Sequence, residues 1–481
     1  MPTIAQPDAA PPSAEVTVPP ARSARLMWAV LGVVLVADLL DLLDATITNI
    51  AAPTIVAHLG GGPALVKWLG AGYALAMGTL LVVGGRLGDR YGQRRIFLVG
   101  MAGFTLASAL CGLAPSPAVL IIARVVQGGF GALLIPQGMA IMTKTFPKDM
   151  LAKALAGFGP MLGLCAAGGP VLAGFIIDAN IADLSWRPVF LINIVLGGAG
   201  LIAAIRLLPR VDADPAARVD LTGSVLLGAA VFSLLYGLIQ GSSDGWTITP
   251  IILLGAAAVF FAGFCRRQAT AAEPLLKPAL LANKGFTSAL VMGLAFFAAL
   301  SGLIYVISLF LQTGLRYTPG HASLALLPMI IGLILAAGAC MGLIGKLGRI
   351  LVLAGLLITL AGTGLLLTVV TTAGTHPSWW ELAGAILVIG IGMGTCIGTI
   401  FDIALGDVSP DEAGGASGSL SAIQQIAAGV GSAAVTSVYF STLHSGQIHA
   451  VSVSLTVVIG ITALCLGVYR LLPRAAASQE H

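Results

Sequence analysis

The sequence predicts an all-α integral membrane protein, and three observations carry that expectation. Only 9% of the 481 residues are charged, against 57% hydrophobic, and the mean hydropathy is +0.99. Apolar runs of roughly 20 residues, the length that crosses about 30 Å of hydrocarbon, recur along nearly the whole chain. The connections between them are short, so no segment could form a water-soluble catalytic domain. Backbone groups in lipid must pair within their own segment, which makes each run a helix. A water-soluble protein would need far more polar surface to cover its core.

Fourteen spans are expected in order, at about 27–57, 68–85, 96–113, 118–143, 154–177, 188–208, 220–240, 249–265, 285–312, 321–343, 350–371, 380–403, 415–441 and 449–470. The first 24 residues are rich in Pro and Ala and lack an apolar core. They read as a disordered cytoplasmic tail and not as a signal peptide, and residues 471–481 read the same way. The longer connections, 209–219 and 266–284, bracket one pair of spans. The expected organisation is therefore a six-helix bundle over 25–208, an inserted pair with its flanking loops over 209–284, and a second six-helix bundle over 285–470. Two such halves suit a carrier whose substrate site lies between them near the midplane.

Charge supports an even number of crossings. Twenty of the 24 Lys and Arg fall on one side if the N-terminus is inside, three (Lys67, Arg187, Arg316) fall on the other, and Arg124 lies within a span. That asymmetry predicts that both termini are cytoplasmic, and the Ala-, Gly- and Leu-rich composition points to a bacterium and so to its inner (plasma) membrane.

The first span carries Asp38, Asp41 and Asp44. A charge at the bilayer centre costs at least about 2.5–3.5 kcal/mol, so three in one helix need a wet interior and a purpose. At 100° per residue the three occupy one side of the helix, within an arc of about 120°. Like charges this close, in a low dielectric, cannot all stay ionised, and a carboxyl able to become neutral is what a proton carrier needs. Arg124, six residues into the fourth span, lies at about the depth of Asp44, which makes pairing geometrically possible. Asn193 in the sixth span and Gln424 and Gln425 in the thirteenth are further candidates for the interior. Asp402 sits at a span end.

Several stretches resemble one family. Gly85-Arg86-Leu87-Gly88-Asp89-Arg90-Tyr91-Gly92-Gln93-Arg94-Arg95 is similar to the G-x-L-x-D-R-x-G-R-[KR] signature of the major facilitator superfamily, with Gln93 replacing a basic residue. Leu120 to Pro136, with Arg124, Gln127 and Gly128, resembles the superfamily's fourth-span pattern, with Phe130 where that pattern has a small residue. The fifth span carries Gly157 to Pro160 and then Gly168 to Gly174, and the second stretch resembles the superfamily's antiporter signature, with Cys165 and Ala173 as departures. Leu43 to Pro53 is similar to the first-span signature of the fourteen-helix drug:proton antiporters. Asp220 to Gly223, Tyr236 to Trp246, Glu273 to Leu276 and Ser421 to Gln425 extend that likeness over most of the chain.

The resemblance implies a major facilitator fold and a proton-coupled multidrug exporter. It implies that Gly85, Asp89, Arg90, Gly92, Arg94 and Arg95 form a cytoplasmic latch loop, and that Gly169, Pro170 and Gly174 form a bend in the fifth helix of exporting antiporters. Asp38, Asp41, Asp44, Arg124, Asn193, Gln424 and Gln425 would serve proton coupling and the substrate cavity. The expected partners are protons, the lipid bilayer and a small amphipathic substrate, cationic or zwitterionic because the interior is acidic. A monomer is expected, with no nucleic acid, no metal and no cofactor beyond the proton gradient. No catalytic triad or metal spacing is found among the six His and six Cys. A dedicated exporter of one metabolite, such as a self-made antibiotic, an amino acid or a siderophore, is the alternative on the same fold.

Overall fold

The computed structural model describes residues 24–147, 150, 168–209, 220–272, 274–276, 278–340, 343–406, 408 and 413–473. Among these the chain is helical, with no strand. The stretch Gly157–Cys165 in the fifth span lies outside the described residues, as do both expected tails beyond Ala24 and Pro473. Thirteen described helices are long and apolar enough to span a membrane, and Gly168–Asp178 is a shorter apolar helix.

In chain order the helices are α1 Ala24–Leu59, α2 Gly62–Tyr91, α3 Gln93–Gly112, α4 Pro117–Thr145, α5 Gly168–Asp178, α6 Pro188–Leu207, α7 Leu221–Asp244, α8 Ile248–Thr270, α9 Lys284–Gly314, α10 Pro319–Cys340, α11 Arg349–Ala373, α12 Trp379–Gly406, α13 Ala413–Thr442 and α14 Gln447–Val468. Helices α1 to α6 form one group and α9 to α14 the other. The groups meet chiefly through α2 against α13, and α7 docks on both of those helices. An aromatic row fixes that docking: Trp68 of α2 lies 5.9 Å from Phe232 of α7, which stacks on Tyr236 at 5.8 Å.

The inserted pair carries its own local logic. Asp220 caps α7, accepting from the Gly223 backbone N–H at 3.1 Å and from Arg267 Nε of α8 at 3.0 Å. A side chain at Gly223 would run into that carboxylate. Gly241 leaves room for the Trp246 ring to fold back onto the helix.

Close approach explains the other glycines that matter. Pro136 has no N–H to give the Ala132 carbonyl four residues back, and α4 breaks there between Gly131 and Leu134. The Ala132 carbonyl instead points at Gly84 of α2, where any Cβ would overlap it. Phe130, the bulky departure in the fourth span, is accommodated by Gly103 of α3, whose missing side chain leaves space for the ring. In α12, Gly390 and Gly394 press against the α10 backbone at Met329 and Leu333. Gly398, the next small residue in that series, touches nothing there.

Candidate functional site

The site is built where α1, α3, α4 and α6 converge. Asp44 forms an ion pair with Arg124 Nη1, both side chains 1% exposed. Its other oxygen accepts from Gln127 Nε2 at 2.8 Å and from Asn193 Nδ2 at 3.0 Å. Gln127 Oε1 in turn accepts from Arg124 Nη1 at 2.8 Å, while Gln127 Nε2 also donates to Ser108 Oγ at 2.7 Å. A buried ion pair survives desolvation only when its remaining donors and acceptors are satisfied in this way. The guanidinium lies 4.4 Å above the Tyr73 ring and 5.7 Å from that of Phe190. Arg124 Nε and Asn193 Oδ1 are the buried atoms of this network without a hydrogen-bond partner among the described residues.

Asp41, one turn earlier on α1, accepts a hydrogen bond from the Tyr73 hydroxyl of α2. Gly131 of α4 keeps the space beside both groups open, since a Cβ there would stand 3.1 Å from the hydroxyl and 3.4 Å from the carboxylate. Asp38, a further turn back, makes no hydrogen bond among the described residues. The exposure of Asp38 and Asp41, 9% and 6%, separates them from Asp44. The three acids are thus unequal: Asp44 is enclosed by donors, whereas Asp41 has one donor and Asp38 none among the described residues. Of the remaining interior candidates, Asn193 joins the network. Gln425 reaches across the halves to Met77 Sδ at 3.1 Å, one helical turn from Tyr73. Gln424 is half-buried on α13 and contacts none of the acids by a hydrogen bond.

The expected latch loop needs correction. Gly85, Asp89 and Arg90 are not in a loop; they belong to the last two turns of α2, which runs to Tyr91. Only Gly92 makes the turn, with φ +93°, a conformation that favours glycine. Asp89 pairs with neither Arg90 nor a helix cap; it accepts from Gln93 Nε2 at 3.3 Å. Gln93 is buried and also accepts from Lys144 Nζ of α4 at 3.3 Å, so the amide at the departing position bridges an acid and a base. Arg94 donates to the Ile205 carbonyl at the end of α6 at 2.6 Å. Arg95 is exposed. Gln137 of α4 fills the notch left by Gly88 and donates to the Gly84 carbonyl at 2.7 Å. Among the described residues, Gly85 to Arg95 make no hydrogen bond to the second half.

The antiporter signature sits at the far end, opposite the end where α1 begins. The bend expected at Pro170 reaches into residues 151–167, outside the described residues, so only its later part is seen. Gly169 abuts Thr46 of α1 and Gly174 abuts the start of α10, each so closely that a Cβ would collide. Ser323 of α10 donates to the Pro170 carbonyl at 2.6 Å. Asp178, at the end of α5, accepts from Thr318 Oγ1 at 2.8 Å and from the Gly320 N–H at 3.0 Å. An acid from one half therefore caps α10 of the other. Pro53 leaves the Asn49 carbonyl of α1 without its helical donor, and Ser308 of α9 supplies one at 3.0 Å. Lys67, expected at the far surface, is instead buried near the start of α2, 5.7 Å from the Phe440 ring of α13. The two halves are thus joined at the far end.

Tyr73, Ser108, Gln127, Asp178, Ser308 and Ser323 were not expected as site residues. For Ser108 and Gln127 a signal existed, since a polar group inside an apolar span needs a partner. Tyr73 and the residues of the far end carry no pattern of their own, because their role depends on which helices meet.

Two helical halves, an inserted pair and a buried, charged centre inside the first half suit a membrane transporter of small molecules. The model of the Major Facilitator Superfamily matches residues 34–432, and the chain belongs to that family. It is 42% identical over 426 residues to a "Probable actinorhodin transporter" of Streptomyces coelicolor, covering 87% of this chain and 73% of that protein. It is 33% identical to the "Tetracenomycin C resistance and export protein" of Streptomyces glaucescens, over 84% of this chain and 74% of that one. A "Puromycin resistance protein" of Streptomyces alboniger is 31% identical, over 91% and 89% of the two chains. Among solved structures, a peptide transporter crystallised with sulfate superposes with a TM-score of 0.68 at 14% identity, covering 94% of this chain and 97% of that one, which shows the fold. The protein is a multi-pass membrane transporter of the drug-efflux kind and not an enzyme.

Proposed function

We propose that the protein is a proton-coupled antiporter that exports amphipathic, cationic or zwitterionic drugs or toxic metabolites across a bacterial plasma membrane, with both termini in the cytoplasm. The observation that carries this reading is the row of three buried carboxyl groups on α1, one of them paired with a buried arginine. A carboxyl inside the bundle can take a proton or attract a cation, and not both at once, which is the competition an exchanger needs. Asp178, Ser308 and Ser323 tie the halves together at the far end, which supports substrate entry from the cytoplasmic side in this state. Phe, Met and Leu side chains along the spans suit an amphipathic substrate.

The relatives named for single antibiotics favour a narrower second reading, a dedicated exporter of one self-made antibiotic. In proteoliposomes, ethidium should leave the cytoplasmic compartment when a pH gradient is imposed and stop when an uncoupler collapses it. Ethidium movement indifferent to the gradient would sink proton coupling. A growth panel in an efflux-deficient host decides breadth: protection against several unrelated drugs supports multidrug export, and protection against one aromatic antibiotic supports the narrower reading.

A further inference from the structure

Of the three acids on α1, one is enclosed by donors on both oxygens. Gln127 cannot be turned around, because its carbonyl oxygen is engaged by Arg124; its amide N–H therefore always faces Asp44. Asn193 brings a second N–H to the same oxygen, and Arg124 faces the other oxygen. A proton added to Asp44 would meet donors on both sides. Asp41 has no such cage. One donor faces it, the Tyr73 hydroxyl, which can rotate and can accept as readily as it donates. Tyr73 also carries the Arg124 guanidinium on its ring face, so one side chain touches both the loosely held acid and the cation of the fixed pair. The ionisable groups around Asp41 are Asp38 and Asp44 on its own helix, Tyr73 from α2, Arg124 from α4, Cys111 from α3 behind Gln127, and Tyr305 from α9 beyond Arg124. From α13 the nearest contact, Gln425 on Met77, brings no charge.

We infer that Asp41 is the proton-exchanging carboxyl, that Tyr73 is its positioning residue, and that Asp44 serves as the fixed partner of Arg124. The inference rests on the proton-antiport reading above and divides its labour among the acids. The exchanged proton adds to the Asp41 carboxylate from water on one side and leaves to water on the other; no other bond changes. Tyr73 donates to Asp41 when the acid is ionised and turns when it is neutral. Its ring is the lid of the Arg124 pocket, so protonation of Asp41 is felt at the junction of α2 with α4. Gly131 supplies the room for that movement, since a side chain there would crowd the Tyr73 hydroxyl.

The test follows the protonated-carboxyl stretch by infrared difference spectroscopy, with the full-length protein in lipid nanodiscs titrated over pH. Wild type should gain a protonated-carboxyl band as pH falls. Asp41→Asn should lose that band. Tyr73→Phe should keep it but move its midpoint by about one pH unit or more, the scale of one hydrogen bond to a charged group. Asp44→Asn combined with Arg124→Gln, which removes both charges of the fixed pair together, should retain the band. A band that survives Asp41→Asn, or that disappears in the double variant, overturns the assignment to Asp41. A midpoint unmoved in Tyr73→Phe removes Tyr73 from the site even if Asp41 stands. Proton coupling itself is judged separately, by ethidium efflux from wild type under a pH gradient. Failure there with an intact, Asp41-dependent band would strike the antiport reading and not the assignment.

Discussion

Asp44 and Arg124 stand eighty positions apart in sequence and meet with almost no solvent between them. Such a pair adds little stability relative to two apolar residues, but removing one member leaves a bare charge in a low dielectric, at a cost of about 3–5 kcal/mol. Asp44→Asn should accordingly lower the melting temperature of the purified protein and abolish efflux. Adding Arg124→Gln to it should restore part of the melting temperature without restoring efflux. Thermal unfolding of the three proteins side by side measures this, and a single variant as stable as wild type would mean that the pair is not coupled. Loss of activity in Asp44→Asn by itself cannot name the proton carrier, since the same change uncovers Arg124.

At the scale of helices, proline and small residues decide which elements touch. Pro53 and Pro136 each release a carbonyl, and each is met by another helix: Asn49 by Ser308 across the halves, Ala132 by the bare backbone of Gly84. Gly169 and Gly174 let α5 lie against α1 and α10 at the far end, where Asp178 completes the seal by capping α10. Losing an N-cap costs about 1 kcal/mol, roughly a fivefold change in an equilibrium between closed and open forms. Asp178→Ala should therefore raise, severalfold, the rate at which a cysteine placed at position 49 reacts with an impermeant maleimide added from the far side. An unchanged rate would reduce Asp178 to a surface residue.

Over the whole molecule, charge orients the protein and the inserted pair covers the seam between its halves. Cysteines placed at positions 94 and 218 should be labelled only from the cytoplasm, and one at 316 only from outside, because the positive residues are divided twenty to three. External labelling at 218 would break the fourteen-span arrangement. Helix α7 lies against both α2 and α13, the helices that must part for the far end to open. Its aromatic row, Trp68, Phe232 and Tyr236, belongs to the first half's side of that seam.

What the sequence determined by itself was set by solvent. The apolar runs, their helical form and the presence of buried acids follow from the cost of placing polar groups in lipid, which acts on each segment separately. The pairing of Asp44 with Arg124 was within reach because depth along a helix is proportional to residue count. The division among the acids was not. Asp38, Asp41 and Asp44 are chemically identical and share one helix face; only the arrival of Gln127, Asn193, Ser108 and Tyr73 from four other helices makes one of them enclosed and another open. The same holds for the signature around Asp89, whose spacing resembles a loop but whose residues continue α2 as far as Tyr91, because Gly88 seats Gln137 of α4 and helical packing extends to that point. Asp178 and Ser323 have no local pattern at all, and their meeting is a property of two halves closing on one another. Helix formation in lipid is a local decision, whereas the partner of a buried polar group is chosen by tertiary packing, and it is the partner that sets what the group can do.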